Sequence, residues 1–175
     1  KISFREEDKT GDVWNMTLIG SDFQGLEYAY EADGTLQADP YGTSFCGREK
    51  WGSLAQAKKT LKTPLDREEF DWEGDRPLEI PYEDTVIYRL HVRGFTRHSS
   101  SGTEEHGTFS AIAEKIPYLK DLGVTAVELL PPVEFEEVMM PEGAGKHPYV
   151  KEEPTGKLNY WGYTKGGVFA PKASY

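Results

Sequence analysis

The chain has 175 residues, enough for one good-sized domain or two small ones, and its 37% hydrophobic and 13% aromatic content suffices for a packed core. A formal net charge of −10 argues against nucleic acid or an anionic membrane as partner, since both require a basic surface, and suits a neutral ligand. No apolar run approaches the ~20 residues of a membrane-spanning helix, and a lone cysteine, Cys46, makes neither an internal disulfide nor a zinc site, so a small, buried apolar role is expected for it. No secretory signal is legible, although the chain opens on Lys1 rather than Met. The expected compartment is the cytoplasm, with secretion still open.

The first ~83 residues read as β-rich. From Val13 to Ile19, Trp14, Met16 and Leu18 share one face while Asn15 and Thr17 point the other way. Leu26, Tyr28 and Tyr30 repeat the alternation against Glu27 and Glu31, and Asp33-Gly34 supplies a tight turn. These are expected to be antiparallel strands of half a sandwich. Asp39-Pro40-Tyr41-Gly42 and then Gly47-Arg48-Glu49-Lys50-Trp51-Gly52 punctuate its end.

Residues 53 to 83 read as a connection. Leu54 to Leu61 can form a turn or two of helix, but Pro64, Pro77 and Pro81 forbid a long element. Asp66 to Asp75 is an acidic, solvated run in which Phe70 and Trp72 are spaced to pack down together. A domain boundary falls near Glu83-Asp84.

Residues 86 to 92 then read as a buried strand through Val86, Ile87, Leu90 and Val92. The polar, Gly/Ser-rich loop from Arg97 to Gly107 is expected on the surface and mobile. Phe109, Ile112, Ile116 and Leu119 have the spacing of one helical face, with Thr108 or Ser110 as cap and Gly123 as terminator. Pro117 predicts either a kink or two abutting short helices. Val124 to Leu130 is a second strand, closed by Pro131-Pro132. Strand, helix, strand makes a βαβ unit with a parallel sheet. A longer insertion from Glu134 to Lys157 separates it from the aromatic group Asn159-Tyr160-Trp161-Gly162-Tyr163.

Val86-Ile87-Tyr88-Arg89-Leu90-His91-Val92-Arg93-Gly94-Phe95-Thr96, then Lys115-Ile116-Pro117-Tyr118-Leu119-Lys120-Asp121-Leu122-Gly123-Val124 running on to Glu128-Leu129-Leu130-Pro131, then Asn159-Tyr160-Trp161-Gly162-Tyr163, occur in one order and spacing. Together they resemble the opening of the catalytic barrel in the α-amylase superfamily, nearest to glycogen-debranching enzymes, isoamylases and type I pullulanases. The resemblance implies an α/β fold with a β-rich N-terminal part: a partial immunoglobulin-like β-sandwich followed by the first strands and helix of a (β/α)8 barrel. It implies residues 1–52 as the end of a glucan-binding-type sandwich, 53–83 as the connection, and 84–175 as the truncated N-terminal part of the barrel. It also implies a parent enzyme that cleaves α-1,6 bonds of glycogen, amylopectin or pullulan with net retention.

The same resemblance makes Tyr163 the aromatic that stacks on the sugar before the scissile bond. Trp161 and Tyr160 are weighed beside it as substrate-binding or core aromatics, and His91 as a cleft-base residue or a buried support of the barrel floor. Asn159 reads as a turn residue, Arg93 as a structural ion-pair partner and Glu128 as structural. Thr164-Lys165 stands where many pullulanases carry Asp-Pro, which leans towards isoamylase-like relatives. Retaining glycosidases need two carboxyl groups about 5–5.5 Å apart. The strands that carry them in the resembled family, and the motif Asp-x-Val-x-Asn-His, are not in the sequence. No catalytic residue is therefore assigned, and the segment alone is expected to be inactive, its barrel part partly disordered, self-associating or packed unlike a full barrel.

No cofactor is expected, and no metal, because His98, His106 and His147 have no ligand-like spacing. Two readings stand beside the hydrolase segment: a non-catalytic glucan-binding module using Trp14, Trp51 or Trp72, and a part of a branching or trehalose-releasing enzyme. A βαβ nucleotide-binding protein fails for want of a Gly-rich phosphate loop after either strand.

Overall fold

A computed structural model of the chain describes residues 1–20, 22–65, 69–139, 155–164 and 166–175. The N-terminal part is built from short antiparallel ladders. β1 (Lys9–Thr10) pairs with β2 (Val13–Trp14), β3 (Glu27–Tyr28) with the later β6 (Thr63–Pro64), and β4 (Tyr30–Ala32) with β5 (Thr35–Gln37). The β4–β5 turn is the expected one. Asp33 (φ 50°) and Gly34 (φ 73°) both adopt the left-handed region, the pair of positive angles that a two-residue hairpin with the correct twist requires.

Among the described residues the strands of this β-rich part are shorter than expected and form separate two-stranded ladders. Only Val13–Trp14 of the Val13–Ile19 run is a strand, and the 26–30 run divides between two different partners. Alternation sets which face a side chain takes, but a strand persists only where a neighbour accepts its hydrogen bonds. Trp14 instead lies half-exposed under the Lys9 ammonium, 5.4 Å from its ring centre, with Phe4 6.0 Å away.

The connection holds one helical turn, α1 (Leu54–Ala57), capped by the Ser53 side chain on the Gln56 N–H. Buried Arg48 closes the other end of that turn, donating to the carbonyls of Gln56, Ala57 and Lys59 and to the Glu136 carboxylate. Phe70 and Trp72 do meet, edge to face at 4.9 Å, yet both remain exposed. Cys46 is half-buried, and its backbone bridges to Lys62.

The βαβ unit is present. β7 (Ile87–Leu90) and β8 (Ala126–Leu129) run parallel, in the register Arg89 opposite Glu128 and Leu90 opposite Leu129. The first strand ends two residues sooner than expected, because the His91 side chain accepts the Gly94 N–H and so opens α2 (Val92–Thr96). Of the two candidates, Thr108 caps α3 (Phe109–Glu114), and Pro117 lies in the first turn of a separate α4 (Ile116–Asp121), so of the two outcomes the proline allowed the chain takes the abutting helices. The break between them turns Ile116 out to solvent while Leu119 stays buried. Gly123 (φ 81°) ends the second helix.

The surface loop that follows α2 is tied down from within. Ser101 Oγ donates to the Thr96 carbonyl at 2.9 Å, His106 Nδ1 lies 3.2 Å from Ser101 Oγ, and the buried Thr96 hydroxyl accepts the Gly107 N–H. β9 (Val133–Phe135) and β10 (Gly166–Pro171) complete the described elements as an antiparallel pair. The core gathers Val92, Phe135 and Tyr175, flanked by Trp51, Phe109, Ile112 and Leu129. Ile87 and Val127, on the parallel pair, are exposed, and among the described residues neither strand has a further neighbour to cover them. Among the described residues no helix is long and apolar enough to cross a membrane.

Candidate functional site

The aromatic group of residues 159–163 converges on the carboxyl end of β7. His91 is the hub. Its Nδ1 accepts the Gly94 N–H at 3.0 Å, which leaves the ring proton on Nε2, 2.7 Å from the Tyr160 carbonyl oxygen. One imidazole thus caps a helix and pins a segment 69 residues away. The Tyr160 ring lies flat on it, with centres 4.2 Å apart and planes within 5°, and Trp161 meets its edge at 5.7 Å. Gly94 permits this approach, since a Cβ built there would collide with the Tyr160 hydroxyl.

Below this layer Trp51 stacks on Tyr175, 5.6 Å between centres and 17° between planes, and turns its edge to Phe135 and Tyr160. The Arg93 guanidinium sits 4.7 Å above the Trp51 ring. The expected ion pair is not formed within 4 Å among the described residues: the guanidinium faces the Trp51 ring, and burial, then the Arg97 charge, lower its pKa while the nearby Glu137 charge opposes them. Burial, reinforced by the nearby Glu137 charge, pushes the Tyr175 hydroxyl well above the usual tyrosine range.

The floor rests on an ionic cluster without exposure. Lys172 Nζ lies 2.6 Å from Glu134 Oε1 and 2.7 Å from Glu137 Oε1. The second Glu134 oxygen accepts the Ala173 N–H at 2.9 Å, while Glu137 accepts the Gly52 N–H and the Ser174 hydroxyl. Three segments far apart in sequence are bolted together there. The two carboxylates share an ammonium and face no solvent, so they hold structure and do not form a reacting pair.

Above the hub the turn is set by Asn159, as the sequence suggested. Its side-chain oxygen accepts the Gly162 N–H at 3.1 Å and its nitrogen donates to the Glu136 carbonyl and Thr164 Oγ1. Gly162 (φ 75°) is packed so closely that a Cβ would stand 2.6 Å from Phe135. The turn throws Trp161 and Tyr163 outward, 56% and 64% exposed. Tyr163 touches no other ring among the described residues; its hydroxyl accepts a hydrogen bond from Arg89 Nη2 at 3.3 Å. Glu128 pairs with the same guanidinium through Arg89 Nε at 3.3 Å.

The structure therefore brings His91, Tyr160 and Trp161 together and leaves Tyr163 one step apart. Sequence reasoning missed Tyr175, Glu134, Glu137 and Lys172, whose partners lie tens of residues away and carry no local signal. Trp51, weighed as an exposed platform, belongs to the core cluster, whereas Trp72 is exposed. No group of three His, Cys, Asp or Glu suited to a metal occurs among the described residues; His147 and Lys165 lie outside them.

Comparison with known proteins fits this layout. No family model matches the chain. Isoamylase 1 of Arabidopsis thaliana, a chloroplastic protein, is 37% identical over 96% of the chain, and a glycogen debranching enzyme of Yersinia pseudotuberculosis is 32% identical over 95%. Its homologues are isoamylases and glycogen-debranching enzymes of the α-amylase superfamily. The chain spans about a quarter of the length of these relatives, 23% and 28% respectively. Among solved structures, Bacillus subtilis type I pullulanase complexed with maltose matches 90% of the chain at TM-score 0.59 and 27% identity, through 21% of its own length. The group B Streptococcus pullulanase in complex with maltotetraose matches 88% at TM-score 0.55 and 28% identity, again through 21% of its length. Debranching homologues and pullulanase neighbours thus agree with each other and with the sequence motifs.

Proposed function

We propose that this chain is the sandwich-to-barrel segment of a debranching glycoside hydrolase and supplies part of its α-glucan site. In this reading β7, α3, α4 and β8 are the first βαβ unit of the (β/α)8 barrel, and residues 1–52, 53–83 and 84–175 are its sandwich end, connection and barrel start. One observation supports it above the others: the cluster of His91, Tyr160 and Trp161 stands at the carboxyl end of a parallel strand, where α/β proteins bind ligands.

Sugar rings carry apolar C–H faces and outward hydroxyls. Exposed Tyr163 and Trp161 offer planes for the first, and the polar groups around them can bond the second. His91 then acts as the internal support that fixes Tyr160, and Tyr163 stacks on the sugar before the scissile bond. The α-1,6 bond is cleaved with retention by carboxyl groups supplied elsewhere in the parent enzyme. By itself the 175-residue segment is inactive, and its exposed Ile87 and Val127 favour self-association.

The test is a reducing-sugar assay on pullulan and amylopectin, using the gene product that carries this chain and its Tyr163→Ala variant, beside the 175 residues alone. Activity in the first, a loss of tenfold or more in the second and none in the third is the expected pattern. Hydrolysis by the 175 residues alone, or an indifferent Tyr163→Ala, would overturn the reading.

A further inference from the structure

Tyr163 is held differently from its neighbours. Tyr160 and Trp161 are locked by ring contacts with His91, but the exposed Tyr163 ring is fixed among the described residues by its hydroxyl alone. We propose that Arg89, braced by Glu128, is the positioning residue that sets the plane of the Tyr163 ring. The inference rests on the reading that Tyr163 meets a glucan.

The geometry is built into the strand pair. Arg89 on β7 and Glu128 on β8 are direct register partners, so their side chains leave the sheet side by side. Glu128 Oε1 lies 3.3 Å from Arg89 Nε, an ion pair that braces the guanidinium beside its register partner. The Nη2 at the far end of the guanidinium then reaches the Tyr163 hydroxyl at 3.3 Å. A rigid fork can hold two acceptors in fixed relation, whereas a lysine ammonium offers a point charge without that geometry. Both charged side chains are more than half exposed, so the ion pair adds little to folding stability. Its consequence lies in orientation: an aromatic plane held at one angle binds a sugar face without first losing rotamer freedom.

The experiment is a double-mutant cycle in the gene product that carries this chain, with maltotetraose binding read by calorimetry and folding by thermal melting. Arg89→Leu is expected to weaken binding about three- to tenfold while leaving the melting temperature within a degree or two. Tyr163→Phe is expected to match it, and the double variant to be no weaker than either single one. Arg89→Lys should remain weak, because charge without the fork does not restore the plane. Additive losses, full rescue by lysine, or wild-type binding by Arg89→Leu where Tyr163→Ala loses binding would overturn the positioning role and leave the glucan site standing. If Tyr163→Ala itself binds as wild type, the glucan reading falls and the positioning role with it.

Discussion

Replacing Lys172 by Met tests the foundation of the aromatic floor. The stem of the side chain is kept, but the ammonium that Glu134 and Glu137 share is lost, the same cation that lies 4.8 Å from the Phe135 ring. Both carboxylates are nearly sealed from water, at 1% and 5% side-chain exposure, so neither can recover its hydration without opening the structure. Removing one partner from a buried ion pair costs about 3–5 kcal/mol, a large part of the ~5–15 kcal/mol that holds a domain folded. Urea denaturation of the gene product reads this directly. With a slope of ~2 kcal/mol/M the midpoint of the transition involving this segment should fall by roughly 1.5–2.5 M. Glu134→Gln is the control for the charge argument. It leaves Lys172 and Glu137 matched one to one and retains an acceptor for the Ala173 N–H, so its loss should be smaller, about 1–2 kcal/mol. A midpoint shift below ~0.5 M for Lys172→Met at unchanged slope, or a larger loss for Glu134→Gln than for Lys172→Met, would refute the reasoning.

Gly94→Ala sets helix propensity against packing. Alanine favours the helix by about 1 kcal/mol, but its Cβ collides with the Tyr160 hydroxyl, so a net loss of about 1–3 kcal/mol is expected in thermal melts. Combining it with Tyr160→Phe, which deletes the obstructing oxygen, should recover most of that loss. Trp51→Ala removes the ring beneath Arg93 and against Tyr175 and should cost about 3 kcal/mol, seen as a lower denaturation midpoint. Tyr28 donates to Asp39 at 2.5 Å, and burial, then that hydrogen bond and the Asp39 charge, push it up to about 12. Because its unfolded value is near 10, the stability it contributes is complete below pH ~10 and is lost as the pH rises towards 12. Tyr28→Phe should flatten that part of a pH series of melting temperatures, and an unchanged alkaline slope would contradict the assignment.

Some of this fold could be read from short stretches of sequence. Asp33-Gly34 names its own turn, Thr108 its cap, Pro117 the break between two helices and Gly123 the end of the second, because each acts on backbone angles or N–H groups within three or four residues. The βαβ order and the group from Asn159 to Tyr163 were legible in the same way, as was the part played by Asn159 itself. The strands expected in the first third were not, since alternation specifies a face but not a partner, and the 26–30 run pairs in two directions. At the site, sequence marked His91, Tyr160, Trp161 and Tyr163 but not how they are held. That His91 caps a helix and grips Tyr160, that Arg93 faces Trp51, and that Glu134, Glu137 and Lys172 share one buried charge cluster were decided by tertiary structure. A contact between residues separated by tens of positions depends on which loops close and what they shield from water, and no window of neighbouring residues contains that information.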